Sequence, residues 1–517
     1  MASRREATAE LLAAVPSGVR ARVLSGFAWS AWLSLFAAPF SYGTSILLAR
    51  VGPEALGTYG LLTVYVGTVS ALLYVGGDAV AIRFLPELRR EDRISFLLSY
   101  AVVIGGCVLA GVAAAAVWPS ALRYVLGQTS DPGFRFLLVC LAPVSIVLAL
   151  ALAALKGLLE MAYAQVLLRT VTIGSFLVYA VLFWLARGFL AAHYAWLVWV
   201  VYFGLAAVAA GLGIRRLLAL DGIARVRRPR FVLPRGFWQF TFALQQVSIL
   251  AFFLRQLDYL LVLNFGGLVL LGKYAAVMTV ALVVQLGGTL LLDTLLPSLT
   301  TLKARENWAG MAQVTAMHLR ILFAVTTAAT CALMLLAPAI TSLLGAPYEP
   351  LRPQLVFAIL LVGLAAPGAI GGLLLTSVGK QQRCVPVSVF QLVLYVALFA
   401  LLWPAGQLSG AVWAYGISLL AANLLLLAVA ERNVPFQVKA AGDYARFALV
   451  CVAVAAAALR LPDMGVASGI GVWLAAVLAF LFLAGYRPAE CAGLAGCFTA
   501  WRARPARSSA PAVQEQA

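Results

Sequence analysis

Charge is scarce in this 517-residue sequence: Asp, Glu, Lys and Arg make up 11% of it, against 63% hydrophobic residues, and the mean hydropathy is +0.99. A water-soluble domain of this size needs a far more charged surface, so a soluble enzyme is excluded and a polytopic membrane protein is indicated. Histidine is scarcer still. His193 and His318 are the only two, which leaves little material for a histidine metal site or a catalytic triad. The seven cysteines, at 107, 140, 331, 384, 451, 491 and 497, show no zinc-type spacing and read as apolar filler. No phosphate-binding loop of the G-x4-G-K-[ST] kind occurs, and the GLG at 211–213 ends an apolar run instead of following a strand. Direct use of ATP therefore has no loop to depend on.

Long continuous apolar runs are what the chain does have. A helix needs about 20 such residues to cross the roughly 30 Å hydrocarbon core. Runs of that kind begin near 24, 57, 95, 136, 167, 191, 237, 270, 318, 352, 385, 409, 444 and 466, which makes fourteen expected spans. They do not alternate in polarity, so a β-barrel is excluded and the expected fold is all-α. The basic N-terminus, broken at Pro16, does not read as a cleaved signal peptide.

With the N-terminus placed in the cytoplasm, 29 Lys and Arg fall in cytoplasmic segments and 8 outside, accounting for all 37. The positive-inside rule thus supports spans and orientation together, with both termini cytoplasmic. It also explains the net charge of +18 without a nucleic-acid partner. The basic run RVRRPR at 225–230 orients the chain and suits contact with anionic lipids. The expected organisation is a cytoplasmic segment 1–22, a first six-span lobe 23–214, a basic cytoplasmic linker 215–236, a second six-span lobe 237–431, two further spans within 444–485, and a disordered cytoplasmic tail 486–517.

An internal repeat favours two lobes. Gly52, Gly57 and Tyr59 follow the spacing G-x4-G-x-Y, and Gly267, Gly272 and Tyr274 repeat it 215 residues later. Leu85-Pro86-Glu87-Leu88 is echoed by Leu296-Pro297-Ser298-Leu299. Both copies fall outside, so the repeat is parallel, about an axis along the membrane normal, and implies a cavity between the lobes. The motif reads as a tight hairpin: glycine gives backbone freedom, Pro53 stops the preceding helix, and tyrosine sits at the membrane interface.

The run LLARVGPEALGTYGLL with VGGDAVAIRFLPEL resembles the N-terminal signature of the polysaccharide transporter family, within the multidrug/oligosaccharidyl-lipid/polysaccharide exporter superfamily. Ala49, Arg50, Gly52, Pro53, Glu54, Gly57, Tyr59, Arg83 and Pro86 carry that resemblance, and Asp258, Gly272 and Tyr274 match the second half. It implies a flippase that moves an isoprenoid-diphosphate-linked oligosaccharide to the outer leaflet, for O-antigen, capsule or exopolysaccharide assembly. A polysaccharide polymerase and chain-length machinery are the implied partners. No cofactor is expected beyond coupling to H+ or Na+. Such a substrate asks for a polar groove between lobes, because diphosphate and sugars are costly in hydrocarbon while the tail can stay in lipid.

Each candidate residue has a structural alternative. Arg255 and Asp258, at i and i+3, are either an interface ion pair or a headgroup or coupling site at a cavity mouth. Arg50, Arg83 and Lys273 serve substrate binding or snorkelling and orientation. Asp78 and Asp293, near the inner ends of corresponding spans, could carry the coupling ion, or be solvated helix ends, Asp78 pairing with Arg83. Gln245 and Gln246, with Gln285, Gln391 and Asn423, suit sugar hydroxyls or hydrogen bonds between helices.

Three rival functions remain. A drug/cation antiporter of the same superfamily fits less well, with its usual twelve spans and buried acidic groups. A lipid II flippase would carry an Arg-Asp N-terminal signature that this chain lacks. A membrane polymerase or ligase would be expected to have a large outside loop, whereas the longest here is about seventeen residues.

Overall fold

The computed structural model describes residues 17–118, 132–158, 160–220, 230–285, 306–436, 441–460 and 466–484, with Leu295, Leu299, Leu302 and Lys303. These residues are helical wherever they are regular. The helices are α1 (Ser17–Val51), α2 (Pro53–Leu73), α3 (Asp78–Glu87), α4 (Arg90–Val117), α5 (Pro132–Gly157), α6 (Met161–Leu185), α7 (Arg187–Ala219) and α8 (Phe237–Ala281). They continue as α9 (Trp308–Leu335), α10 (Ala337–Leu344), α11 (Arg352–Ala365), α12 (Ile370–Val378), α13 (Cys384–Gly406), α14 (Leu408–Asn433), α15 (Ala441–Arg460) and α16 (Val466–Leu483).

Ten helical stretches among the described residues are long and apolar enough to cross a membrane. One of them, Phe237–Gln285, is two spans joined at Gly267, where the backbone leaves helical geometry at φ 73°, ψ −174°. Few residues other than glycine adopt that conformation, so the chain turns there and nowhere else in α8. The 35-residue α1 and the shorter apolar stretches Leu141–Gly157 and Gly469–Leu483 complete the expected fourteen-span, all-α membrane architecture. Helices α1, α5 and α13 carry prolines inside them (Pro39, Pro143 and Pro404), which spanning helices tolerate.

Two lobes and an appendage emerge from the packing. In the first, α1 lies against α6, α7 against α5 and α6, and α3 against α5. Its centre is aromatic, with Tyr65 edge-on to Trp199 at 5.5 Å. In the second lobe, α14 is clasped by α11, α12 and α13. The last two helices dock on the outside of this lobe, where Trp473 donates to the Ala328 carbonyl at 2.9 Å and Tyr444 to that of Leu364. The expected two extra spans thus belong to the second lobe.

The turns carrying Gly52 and Gly267 lie at one end of the bundle, called here the hairpin end. The end of α7 at Ala219 and the start of α8 at Phe237 lie at the opposite, basic end. Pro53 opens α2 as its first residue, as the sequence pattern requires. Gly52, with φ 164° and ψ 161°, is merely extended, so its lack of a side chain is not what makes the turn.

Glycines inside the lobes set helix spacing. A Cβ on Gly371 would lie 2.7 Å from the Leu426 backbone, whereas one on Gly105 would meet nothing within 4 Å. Gly371→Ala is therefore expected to cost about 1–3 kcal/mol by overpacking, seen as a lower melting temperature in detergent. Gly105→Ala should melt no lower than the native protein.

Candidate functional site

Helix α2 runs antiparallel to, and in contact with, the stretch of α8 before Gly267, forming a seam between the lobes. Glycines of α2 mark it. A Cβ on Gly57 would lie 2.1 Å from the Leu268 carbonyl oxygen, and one on Gly272 would lie 1.8 Å from that of Pro53. No side chain fits either position, so the two copies of the repeated motif meet each other, backbone on backbone, at the hairpin end. Further along, Gly60 faces Tyr259 and Leu271, and Gly67 faces Gln256 and Phe252. At the basic end, Gln245 closes the seam by donating to the Ala71 carbonyl at 2.6 Å and accepting from the Gly76 amide at 3.0 Å.

Two arginines named from the sequence also tie the lobes. Arg50 Nε donates to the Leu343 carbonyl of α10 at 2.8 Å, and Arg187 donates to the Arg50 carbonyl at 3.4 Å. Arg83 stacks over Phe240 of α8, its guanidinium carbon 4.2 Å from the ring centroid. Such a contact is worth about 0.5–2 kcal/mol, depending on desolvation. Gln245, Arg50 and Arg83 thus spend polar groups on lobe–lobe contacts.

Asp258 is the one carboxylate buried among the described residues, with 4% of its surface exposed. Tyr274, the tyrosine of the second motif copy, donates to Oδ2 at 2.8 Å, and Oδ1 has no partner among the described residues. A cavity of about 10 Å³, room for a single water-sized occupant, adjoins it. Gln391 and Tyr395 of α13 and Tyr415 and Ser418 of α14 line that cavity, and the Tyr395 hydroxyl is also unpaired. A bare carboxylate oxygen beside a cavity lined by neutral oxygen-bearing groups can hold a proton or a small hard cation, whose preferred ligands are oxygens.

Several expectations are corrected. The Arg255–Asp258 ion pair does not form, since Asp258 turns into the lobe toward Tyr274 while Arg255 is exposed. Tyr274 is no interface anchor: it is fully buried, its hydroxyl spent on that carboxylate. Asp78 pairs with Lys156 at 3.2 Å instead of with Arg83, because α3 packs on α5 and brings its first residue to that lysine. Asn423 makes the interhelical bond expected of it, donating to Ala365 at 3.0 Å. Gln246 is exposed, and Lys273 is half-buried beside Gly272. Asp293 and the Leu296-Pro297-Ser298 echo lie outside the described residues. Tyr395, Tyr415 and Ser418 were not singled out from the sequence. Their signal, oxygen-bearing residues deep inside apolar runs, is weak, because hydroxyls in spans usually serve their own helix.

No protein-family model matches the chain, and no curated protein matches it by sequence. Solved structures do match. An inward-facing multidrug-resistance MATE family transporter of the MOP superfamily aligns with TM-score 0.63 at 14% identity, over 77% of this chain and 94% of that one. The lipid II flippase MurJ, in an inward closed conformation, aligns with TM-score 0.66 at 13% identity, over 87% of this chain and 97% of that one. A MOP superfamily transporter from Pyrococcus furiosus aligns with TM-score 0.55 at 14% identity, over 80% of this chain and 95% of that one. The chain therefore has the fold of MOP-superfamily transporters, as its repeated motif implied.

If Arg50 is a tie between lobes, Arg50→Ala removes a hydrogen bond worth about 1 kcal/mol and shifts the lobes apart by roughly fivefold in population. Spin labels on Gly188→Cys and Glu349→Cys, exposed at the hairpin end of each lobe, would report a longer average distance. Arg50→Lys, which can still reach a carbonyl, should recover part of the loss.

Proposed function

We propose that this protein is an alternating-access flippase that carries an isoprenoid-diphosphate-linked oligosaccharide from the cytoplasmic to the outer leaflet of a bacterial inner membrane, with H+ or Na+ at Asp258 as coupling ion. The observation that carries the reading is the seam: two repeated lobes joined at the hairpin end by backbone contact, Gly57 on Leu268 and Gly272 on Pro53. A joint made of van der Waals contacts and a few hydrogen bonds is separable at small cost, and one end of a two-lobed bundle must part if a headgroup is to leave from it. The charge bias of the loops supports an outside hairpin end.

Three features favour a lipid-linked glycan. The resemblance of the motif residues to polysaccharide transporters names that class. Among the neighbours in fold, the lipid II flippase MurJ is by its name a carrier of a lipid-linked molecule, and it aligns over 87% of this chain. The two last helices, α15 and α16, go past the twelve spans usual for a drug/cation antiporter, which is the second reading, supported by the MATE neighbour. A transporter and not an enzyme is the reading consistent with these neighbours. Exposed cationic groups at the basic end, such as Arg215 and Arg235, suit anionic lipids and a diphosphate headgroup. A polymerase and chain-length machinery would receive the product.

Cells lacking the protein should accumulate lipid-linked repeat units on the inner leaflet, detected by leaflet-resolved labelling of the glycan. Normal translocation with only polymer length altered would sink this reading in favour of a polymerase. In vesicles, Asp258→Asn should abolish the response of flipping to an imposed pH or sodium gradient.

A further inference from the structure

Asp258 and the seam are joined through one helix segment. Gly272 and Tyr274 are two residues apart, about 200° around the helix, so they face opposite ways. Gly272 faces α2 of the first lobe, against the Pro53 carbonyl. Tyr274 faces back to Asp258, which lies on the stretch of α8 before the Gly267 kink. The segment after the kink is therefore fastened on one side to the other lobe and on the other side to the buried carboxylate.

Among the described residues the first lobe shows no such fastening. At the 215-residue offset of the repeat, Tyr59 stands for Tyr274, but Gly43 stands where Asp258 would be. A Cβ at Gly43 would lie 2.5 Å from the Phe176 ring, so that position is filled by packing. Among the described residues the connection between carboxylate and seam exists in one lobe only.

The closed arrangement is a poor host for a bare charge. Asp258 is bonded by Tyr274 through Oδ2 while Oδ1 has no partner, and the cavity beside it is lined by Gln391, Tyr395, Tyr415 and Ser418, all neutral. On its own helix the nearby charge is Arg255, which is exposed, and Tyr259 is neutral. An unpaired buried carboxylate is costly, and a proton or sodium ion on Oδ1 removes that cost. Opening the lobes removes it differently, by letting water reach the group. Binding at Asp258 and closure of the seam must then favour each other.

We propose that Tyr274 is the positioning residue that links H+ or Na+ binding at Asp258 to closure of the Gly57–Gly272 seam. With the ion bound, Tyr274 holds the segment after the kink in place and the hairpin end stays shut. When the ion leaves, the charged carboxylate hydrates, the segment moves with Tyr274, and the seam parts. This rests on the alternating-access reading but not on the identity of the cargo.

The test uses the purified full chain in lipid nanodiscs, with its seven native cysteines replaced and spin labels on Gly188→Cys and Glu349→Cys. Distances are measured from about pH 3 to about pH 9 in choline, a range that includes the ordinary aspartate value of about 3.9, and then with sodium added at the upper pH. The native chain should shift to the short distance on acidification, on sodium addition, or on both, and these arms identify the ion. Asp258→Asn should give the short distance in every condition. Tyr274→Phe should give one unchanging distribution. A native-like response in Tyr274→Phe, or no response of the native chain in either arm, overturns the proposal. Should Tyr274→Phe fail to fold, Gly272→Ala serves instead. It forces the seam apart, so the infrared carboxyl band that Asp258→Asn abolishes must titrate at lower pH in it, and an unchanged midpoint overturns the link. No glycan is present in these measurements. Loss of flipping with an intact label response would therefore condemn the cargo assignment and leave this inference standing.

Discussion

Two glycines, Gly57 and Gly272, approach at a distance that only backbone atoms can share, and the relation between the two lobes depends on that approach. In hydrocarbon there is no hydrophobic gain in bringing one apolar helix against another, so association rests on close packing and a few polar bonds. Removing the side chain at both positions lets Pro53 and Leu268 carbonyls reach the opposing helix. The rest of the seam follows from that contact. Once α2 and α8 are pinned at one end and antiparallel, Gly60 and Gly67 fall opposite Tyr259 and Gln256, and Gln245 reaches Ala71 and Gly76 at the other end.

Polar groups are so few that most of those described near the seam have a mechanical task. Arg50, Arg83 and Gln245 bind one lobe to the other, through a carbonyl, a ring and two backbone groups respectively. Asp258 is different, because burial leaves it with one oxygen unanswered. Native interiors rarely tolerate such a group, and where they do it commonly marks a site that something else completes.

Much of the fold was legible beforehand. Apolar runs of span length, their charge-biased loops and the repeated G-x4-G-x-Y spacing led to an all-α, two-lobed bundle with two extra helices. The second glycine hairpin was also legible as a break, and Gly267 has the backbone geometry that demands glycine. The candidate site was read less well. Asp258 was singled out, but with Arg255 as its partner, since i, i+3 neighbours on one helix are all that a linear reading can bring together. Tyr274, sixteen residues away, reaches it only because the kink at Gly267 folds α8 back on itself. The same limitation assigned Asp78 to Arg83 on its own helix, when packing of α3 on α5 supplies Lys156.

The sequence alone determined what local chemistry controls: which stretches must be helices in lipid, where proline and glycine interrupt them, and which loops carry the positive charge. Each of these depends on a residue and its near neighbours or on the solvent around it. What only the tertiary structure decided is which of these features meet. That the two motif copies face each other, that a tyrosine of one spends its hydroxyl on a carboxylate instead of on the membrane interface, and that Arg50 spans to Leu343 are consequences of helices crossing at fixed distances. Those distances come from side-chain volumes summed over the whole bundle, and no short stretch of sequence contains them.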